Sequence, residues 1–81
     1  MVKITFEREY ETNWTFAHIE SDDGIVGHAK EVMEKVPPGV LLTIPPEYQP
    51  GLTNWMVKKC GFAKILRLPI DSQWHDVLMR E

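Results

Sequence analysis

The side chains best able to do chemistry in this sequence are one cysteine, three histidines and a scatter of carboxylates. Their spacing decides what they can do. Cys60 would need a base beside it to act as a thiolate nucleophile. It follows Leu52 and Met56 at i+4 steps along a helical stripe, with no base near it in sequence, so a buried small hydrophobe is expected. His18, His28 and His75 show neither an i, i+4 spacing nor an accompanying cysteine pair, so no metal site is expected. His28 and Glu31, at i, i+3, read as an exposed helix contact. His75 and Asp76 are neighbours in a strand pattern, and such neighbours point to opposite faces and do not orient one another. Trp14, Trp55 and Trp74 are candidates of another kind. Most of their surface is expected in the core, and one left partly uncovered would be a typical interface anchor.

Composition narrows the classes of function. The 81 residues suggest one small domain spanning 1–81. A chain of this size buries roughly 60–65% of its unfolded surface, enough for one core. The apolar share of 43% and the three tryptophans point to a packed globule. A lone cysteine cannot form an internal disulfide, which suits a reducing, cytoplasmic setting. The opening MVKITFEREY lacks the apolar core of a signal peptide, and no run approaches the ~20 apolar residues of a membrane span. A net charge of −3 with dispersed Lys and Arg argues against a nucleic-acid groove. A protein partner fits better.

The elements that must position these residues follow from periodicity. Val2, Ile4 and Phe6 alternate with Lys3, Thr5 and Glu7, as in a half-buried strand. Glu11, Thr12 and Asn13 suit a turn, and NWTFAHIES continues as an antiparallel partner. Ile25, Ala29, Val32, Met33 and Val36 then recur at helical spacing, with Ser21, Asp22 or Asp23 as caps and Pro37-Pro38-Gly39 as the stop. VLLTI is a short continuous apolar run, the pattern of a central strand. Strand, helix and strand in this space imply a crossover and a parallel pair. Leu52, Trp55, Met56 and Cys60 mark one side of a second helix, which Gly61 stops with Phe62 packing back. AKILRLPI, DSQ and WHDVLMRE complete a strand, turn and strand. The expected fold class is α/β, with a mixed five-stranded sheet, two helices and the order β-β-α-β-α-β-β.

That order, with GLTNWMVKKCGF ending its helix in Gly-Phe before a terminal hairpin, resembles the C-terminal portion of the GNAT superfamily of N-acetyltransferases. The resemblance covers nearly the whole chain and about half of a full-length family member. Pro46-Glu47-Tyr48 and His75-Asp76 look like phage-encoded acetyltransferase-like proteins in particular. The resemblance implies a strand, WTFAHIES, leading into a loop and helix whose backbone amides cradle the pyrophosphate of acetyl-CoA. Those amides would belong to Gly24, Ile25, Val26, Gly27, His28 and Ala29, and the pantetheine arm would lie between strands 14–20 and 40–44. Glu20, or else Glu7 or Glu9, is the candidate general base for an attacking amine.

The family pattern is broken at several positions. Ser21 stands where the family has Arg or Gln, Val26 where a Gly or Ala is wanted, and Gly27 falls one place late. Val57 replaces the tyrosine that protonates the departing thiolate in family members. The family's Asn near the start of that helix aligns with Pro50 or, with one insertion, Gln49. Asp22 and Asp23 occupy the anion site itself, where a carboxylate ~5 Å from a phosphate repels by about 1 kcal/mol even in bulk water. The expectation is a kept frame and lost catalysis. The protein then binds another protein or itself, in the host cytoplasm if phage-encoded, with no cofactor, no nucleic acid and no membrane. Self-association would use Val2–Phe6 as an open strand edge that makes a homodimer. The alternative is a minimal acetyl-CoA-dependent N-acyltransferase, with CoA as its cofactor.

Overall fold

The structure, a computed structural model, describes residues 2–21 and 29–80. The described residues make an α/β fold, with one five-stranded mixed sheet and two helices. In chain order these are β1 (Val2–Arg8), β2 (Thr15–Ser21), α1 (Ala29–Lys35), β3 (Leu41–Ile44), a 3-10 turn (Pro46–Tyr48), α2 (Gly51–Lys59), β4 (Phe62–Ile70) and β5 (Gln73–Arg80). The strands lie side by side as β1-β2-β3-β5-β4. β2 and β3 are parallel, as a crossover through α1 requires, and every other neighbouring pair is antiparallel. β3 is central and wholly buried, which explains its unbroken apolar run.

Both helices cover the same face of the sheet. Val32 and Val36 of the α1 stretch, and Leu52 and Met56 of α2, pack with Ala17, Ile19, Leu42, Ile44, Phe62 and Leu78 in the main core. The helices end where the sequence says they must. The amide of Gly39, at φ +87°, donates to the Arg80 carbonyl at 2.9 Å, while Arg80 Nη2 donates to the Val36 carbonyl at 2.7 Å. A cation on a C-terminal carbonyl is favoured by the helix dipole. Gly61, at φ +75°, reverses the chain after α2 and lets Phe62 fold back into the core.

Three expectations need correction. Trp55 does not share the buried stripe of α2, being 50% exposed, and Thr53 takes its place beside Leu52 and Met56. The reason is a buried partner for its hydroxyl: Thr53 Oγ1 donates to Asp76 Oδ2 at 2.7 Å. None of the three tryptophans is a core residue, since Trp14 is 47%, Trp55 50% and Trp74 56% exposed. Cys60 is half-buried and packs against the main core from its edge.

β4 is not a simple alternating strand either. Its pairing with β5 slips between Lys64 and Leu66, leaving Ile65 as an extra residue. A bulge reverses which residues face each side. Phe62 before it faces the helices, and Leu66 and Leu68 after it face away.

Candidate binding site on the helix-free face

Among the described residues the opposite sheet face carries no helix. There Phe16, Leu41 and Val77 form a second small core, with Leu66, Leu68 and Met79 packed around it. The strands supply these side chains by simple alternation. Phe16, His18 and Glu20 leave β2 on this side, Leu41 and Thr43 leave β3, and His75 and Val77 leave β5. Trp14 meets Phe16 edge-on at 6.3 Å, and the His18 ring stacks on Phe16 at 6.1 Å.

Next to this cluster lies a hollow of about 660 Å³, within the size range of ligand-binding clefts. It sits at the carboxyl ends of the parallel pair β2 and β3, where open α/β sheets commonly bind ligands. Its floor is Phe16, His18, Thr43 and Leu68. Glu7, Glu20, Glu47 and Asp71 stand around it, and no lysine or arginine is among the described residues that line it.

The floor is tied together by hydrogen bonds. Thr43 Oγ1 donates to the Ala17 carbonyl at 3.3 Å, which spends its one proton. His18 Nδ1 lies 2.7 Å from the same oxygen, within hydrogen-bond distance. The other ring nitrogen, His18 Nε2, lies 3.8 Å from Glu7 Oε1. A face built this way offers an imidazole edge and several carboxylates to a ligand, and suits a positively charged one. Sequence spacing missed His18, because its partners Thr43 and Glu7 come from neighbouring strands.

The residues singled out in the sequence are scattered. Glu20 is an exposed rim carboxylate whose Oε1 lies 3.6 Å from Lys3 Nζ. Glu7 lines the hollow, whereas Glu9 is engaged in the β1–β2 turn. Of the six residues expected to cradle a pyrophosphate, Gly24, Ile25, Val26, Gly27 and His28 lie outside the described residues, as do Asp22 and Asp23, and Ala29 begins α1 as described. The contact between His28 and Glu31 falls outside them too, and Glu31 pairs with Lys35 at 2.9 Å. His75 and Asp76 do point to opposite faces, and Val57 sits exposed on α2. Among the described residues no group of His, Cys, Asp and Glu is placed to hold a metal, and no helix is long and apolar enough to cross a membrane.

The slot between the parallel strands is partly filled. The β2–β3 ladder ends at His18 opposite Thr43, although β2 runs on to Ser21. The Tyr48 hydroxyl enters there. It donates to the Ser21 carbonyl at 3.2 Å and accepts from the Ser21 amide at 3.1 Å. A pantetheine arm binding in strand fashion would compete with Tyr48 for these groups.

Gln49, one of two positions aligned with the family's asparagine, is also engaged. Its Nε2 donates to the carbonyls of Ile44 at 2.7 Å and Trp74 at 3.2 Å, fixing the entry to α2. Comparison of the chain with protein-family models, with curated proteins and with solved structures gave no match in any of the three.

Proposed function

We propose that the protein is a small, non-catalytic binding module that holds a basic segment of a partner protein in the acidic hollow of its helix-free sheet face. One observation carries this reading: a floor on which Phe16 and Leu68 lie beside His18 and Thr43, ringed by Glu7, Glu20, Glu47 and Asp71, with no lysine or arginine among its described lining residues. Apolar surface supplies the contact area, and the carboxylates select for lysine or arginine and raise the encounter rate. We take the frame to be the C-terminal portion of a GNAT-like domain, of the phage-encoded kind and cytoplasmic, whose cofactor chemistry has been lost.

The test is titration with a short peptide that alternates lysine and leucine. Binding should weaken with added salt, as exposed charge pairs do. It should be lost when Glu20→Lys and Asp71→Lys are combined. A peptide that fails to bind even at low salt sinks the proposal, and so does binding indifferent to those reversals.

The second reading is the minimal acetyl-CoA-dependent N-acyltransferase. It is favoured by the parallel pair that ends early beside His18 and Glu20, a place where a base could meet an amine. It is opposed by the Tyr48 hydroxyl in the slot. Calorimetric titration with coenzyme A separates the two readings.

A further inference from the structure

The two edges of the sheet are β1 and β4, and they differ in how they are protected. β4 carries the Ile65 bulge and Pro69, two devices that stop another strand from adding to an edge. β1 has neither. Its seven residues pair with β2 in unbroken register from Val2 opposite Ser21 to Arg8 opposite Thr15, and the far edge is open among the described residues. Phe6, half exposed, stands on that edge on the helix-bearing face, in line with Ile4 and Val2.

We infer that two copies of this chain join through β1, antiparallel about a two-fold axis at Thr5, to make one continuous ten-stranded sheet. The argument is charge and shape complementarity in that register. With Thr5 opposite Thr5, Lys3 of each copy lies opposite Glu7 of the other, and Ile4 lies opposite Phe6. Directly opposed residues share a face with Cβ atoms about 5 Å apart, so both ion pairs form on the helix-free side and both apolar pairs on the helix side. The exposed Phe6 ring gains a cover.

Sliding the strands by two residues in either direction shortens the ladder and sets Lys3 or Glu7 opposite Thr5, losing both ion pairs. Sliding by one residue turns the helices of the copies to opposite sides of the sheet and places Phe6 opposite a polar residue. The sequence of β1 is thus self-complementary in one register, as an interface about a two-fold axis requires. The joint also brings Lys3 of the second copy beside Glu7, at the rim of the hollow. It stands independently of what the hollow binds.

Sedimentation velocity over a micromolar-to-millimolar series should show a monomer–dimer equilibrium. Lys3→Glu converts two attractions into two repulsions and should weaken the dimer by about tenfold. Adding Glu7→Lys to it should restore the dimer. Within each copy the carboxylate introduced at position 3 would still face Glu20, so recovery cannot come from repairing the monomer. Circular dichroism on each variant confirms that it folds.

Register is read by cross-linking in a Cys60→Ser background. Thr5→Cys should form a disulfide-linked dimer on mild oxidation, since opposed Cα atoms fall within disulfide reach. Lys3→Cys should not, because the two copies of residue 3 are about 13 Å apart along the strands. A monomer at every concentration overturns the proposal. So does a dimer that ignores Lys3→Glu, a swap that fails to restore it, or cross-linking at position 3 in place of position 5.

Discussion

Asp76 is a buried carboxylate that ties three elements together. Only 4% exposed, it accepts from Thr53 Oγ1 at 2.7 Å and Arg67 Nε at 3.1 Å, with Lys64 Nζ at 3.5 Å. It thereby joins α2 to both strands of the terminal hairpin. Asp76→Ala would leave the Thr53 hydroxyl buried without a partner and should destabilise the fold by about 2 kcal/mol. In a domain this small that lowers Tm by roughly 8–16 °C, which a thermal melt will read. Glu9 does comparable work in the β1–β2 turn. Its carboxylate accepts from the Thr12 hydroxyl at 2.7 Å and from the amides of Glu11 and Thr12 at 3.0 and 3.1 Å. The Thr12 hydroxyl first, and then the Glu11 amide, lower its pKa below the ordinary glutamate value. A group with a lowered folded pKa adds stability above its unfolded pKa and loses it as pH falls through the folded one. Glu9→Gln should therefore reduce Tm near neutral pH and leave it unchanged once Glu9 is protonated. A deficit of equal size at every pH would show that the turn, not the charge, is at stake.

At the scale of elements, the 3-10 turn and α2 act as a clasp over the end of the parallel pair. Tyr48 binds both backbone groups of Ser21, and Gln49 reaches the last carbonyl of β3. Tyr48→Phe removes the hydroxyl and keeps the ring. It should cost about 1 kcal/mol and speed hydrogen exchange at the Ser21 amide while leaving the centre of β3 protected. The bulge in β4 has a different consequence. Removing Ile65 would take out the extra residue and still leave Lys64 opposite Leu78 and Leu66 opposite Val77, so Leu66 and Leu68 would stay beside Phe16 and Val77. That deletion should therefore lower Tm by less than about 8 °C and expose no apolar surface to a hydrophobic dye. A large loss with dye binding would mean that the bulge itself holds the hairpin.

At the scale of the whole molecule, the two helices among the described residues lie on one face and leave the other sheet face to a monolayer of its own side chains. That asymmetry separates the functional alternatives. If the acyltransferase reading holds, acetyl-CoA at a hundred times its Kd stabilises the fold by about 2.7 kcal/mol, raising Tm by roughly 10 °C or more. The binding reading expects an unchanged melt with acetyl-CoA, and a rise with the lysine-leucine peptide that grows as salt is removed. Exchanging Asp22→Gly and Asp23→Arg gives a further check. If carboxylate repulsion keeps the carrier out, the variant should gain heat of binding to coenzyme A.

The sequence by itself determined each element whose cause is local. Alternation in Val2–Phe6, the apolar run of Leu41–Ile44, the Pro37-Pro38-Gly39 stop and the Gly61-Phe62 reversal are written in consecutive residues, and backbone sterics act on consecutive residues. Asp71 and Ser72, at φ +51° and +65°, form a two-residue turn inside the expected DSQ, and Gln73 joins β5 opposite Ile70. What only the tertiary structure decided depends on which chain segments meet. Thr53 replaced Trp55 on the buried side of α2 because Asp76, 23 positions away, supplies its partner. The bulge at Ile65 arose because β4 must serve the helix layer at Phe62 and the opposite face at Leu66. His18 gained a role because β1 and β3 flank β2, placing Glu7 and Thr43 beside it. Burial of a polar group is decided by its partner, and a partner distant in sequence leaves no periodic trace.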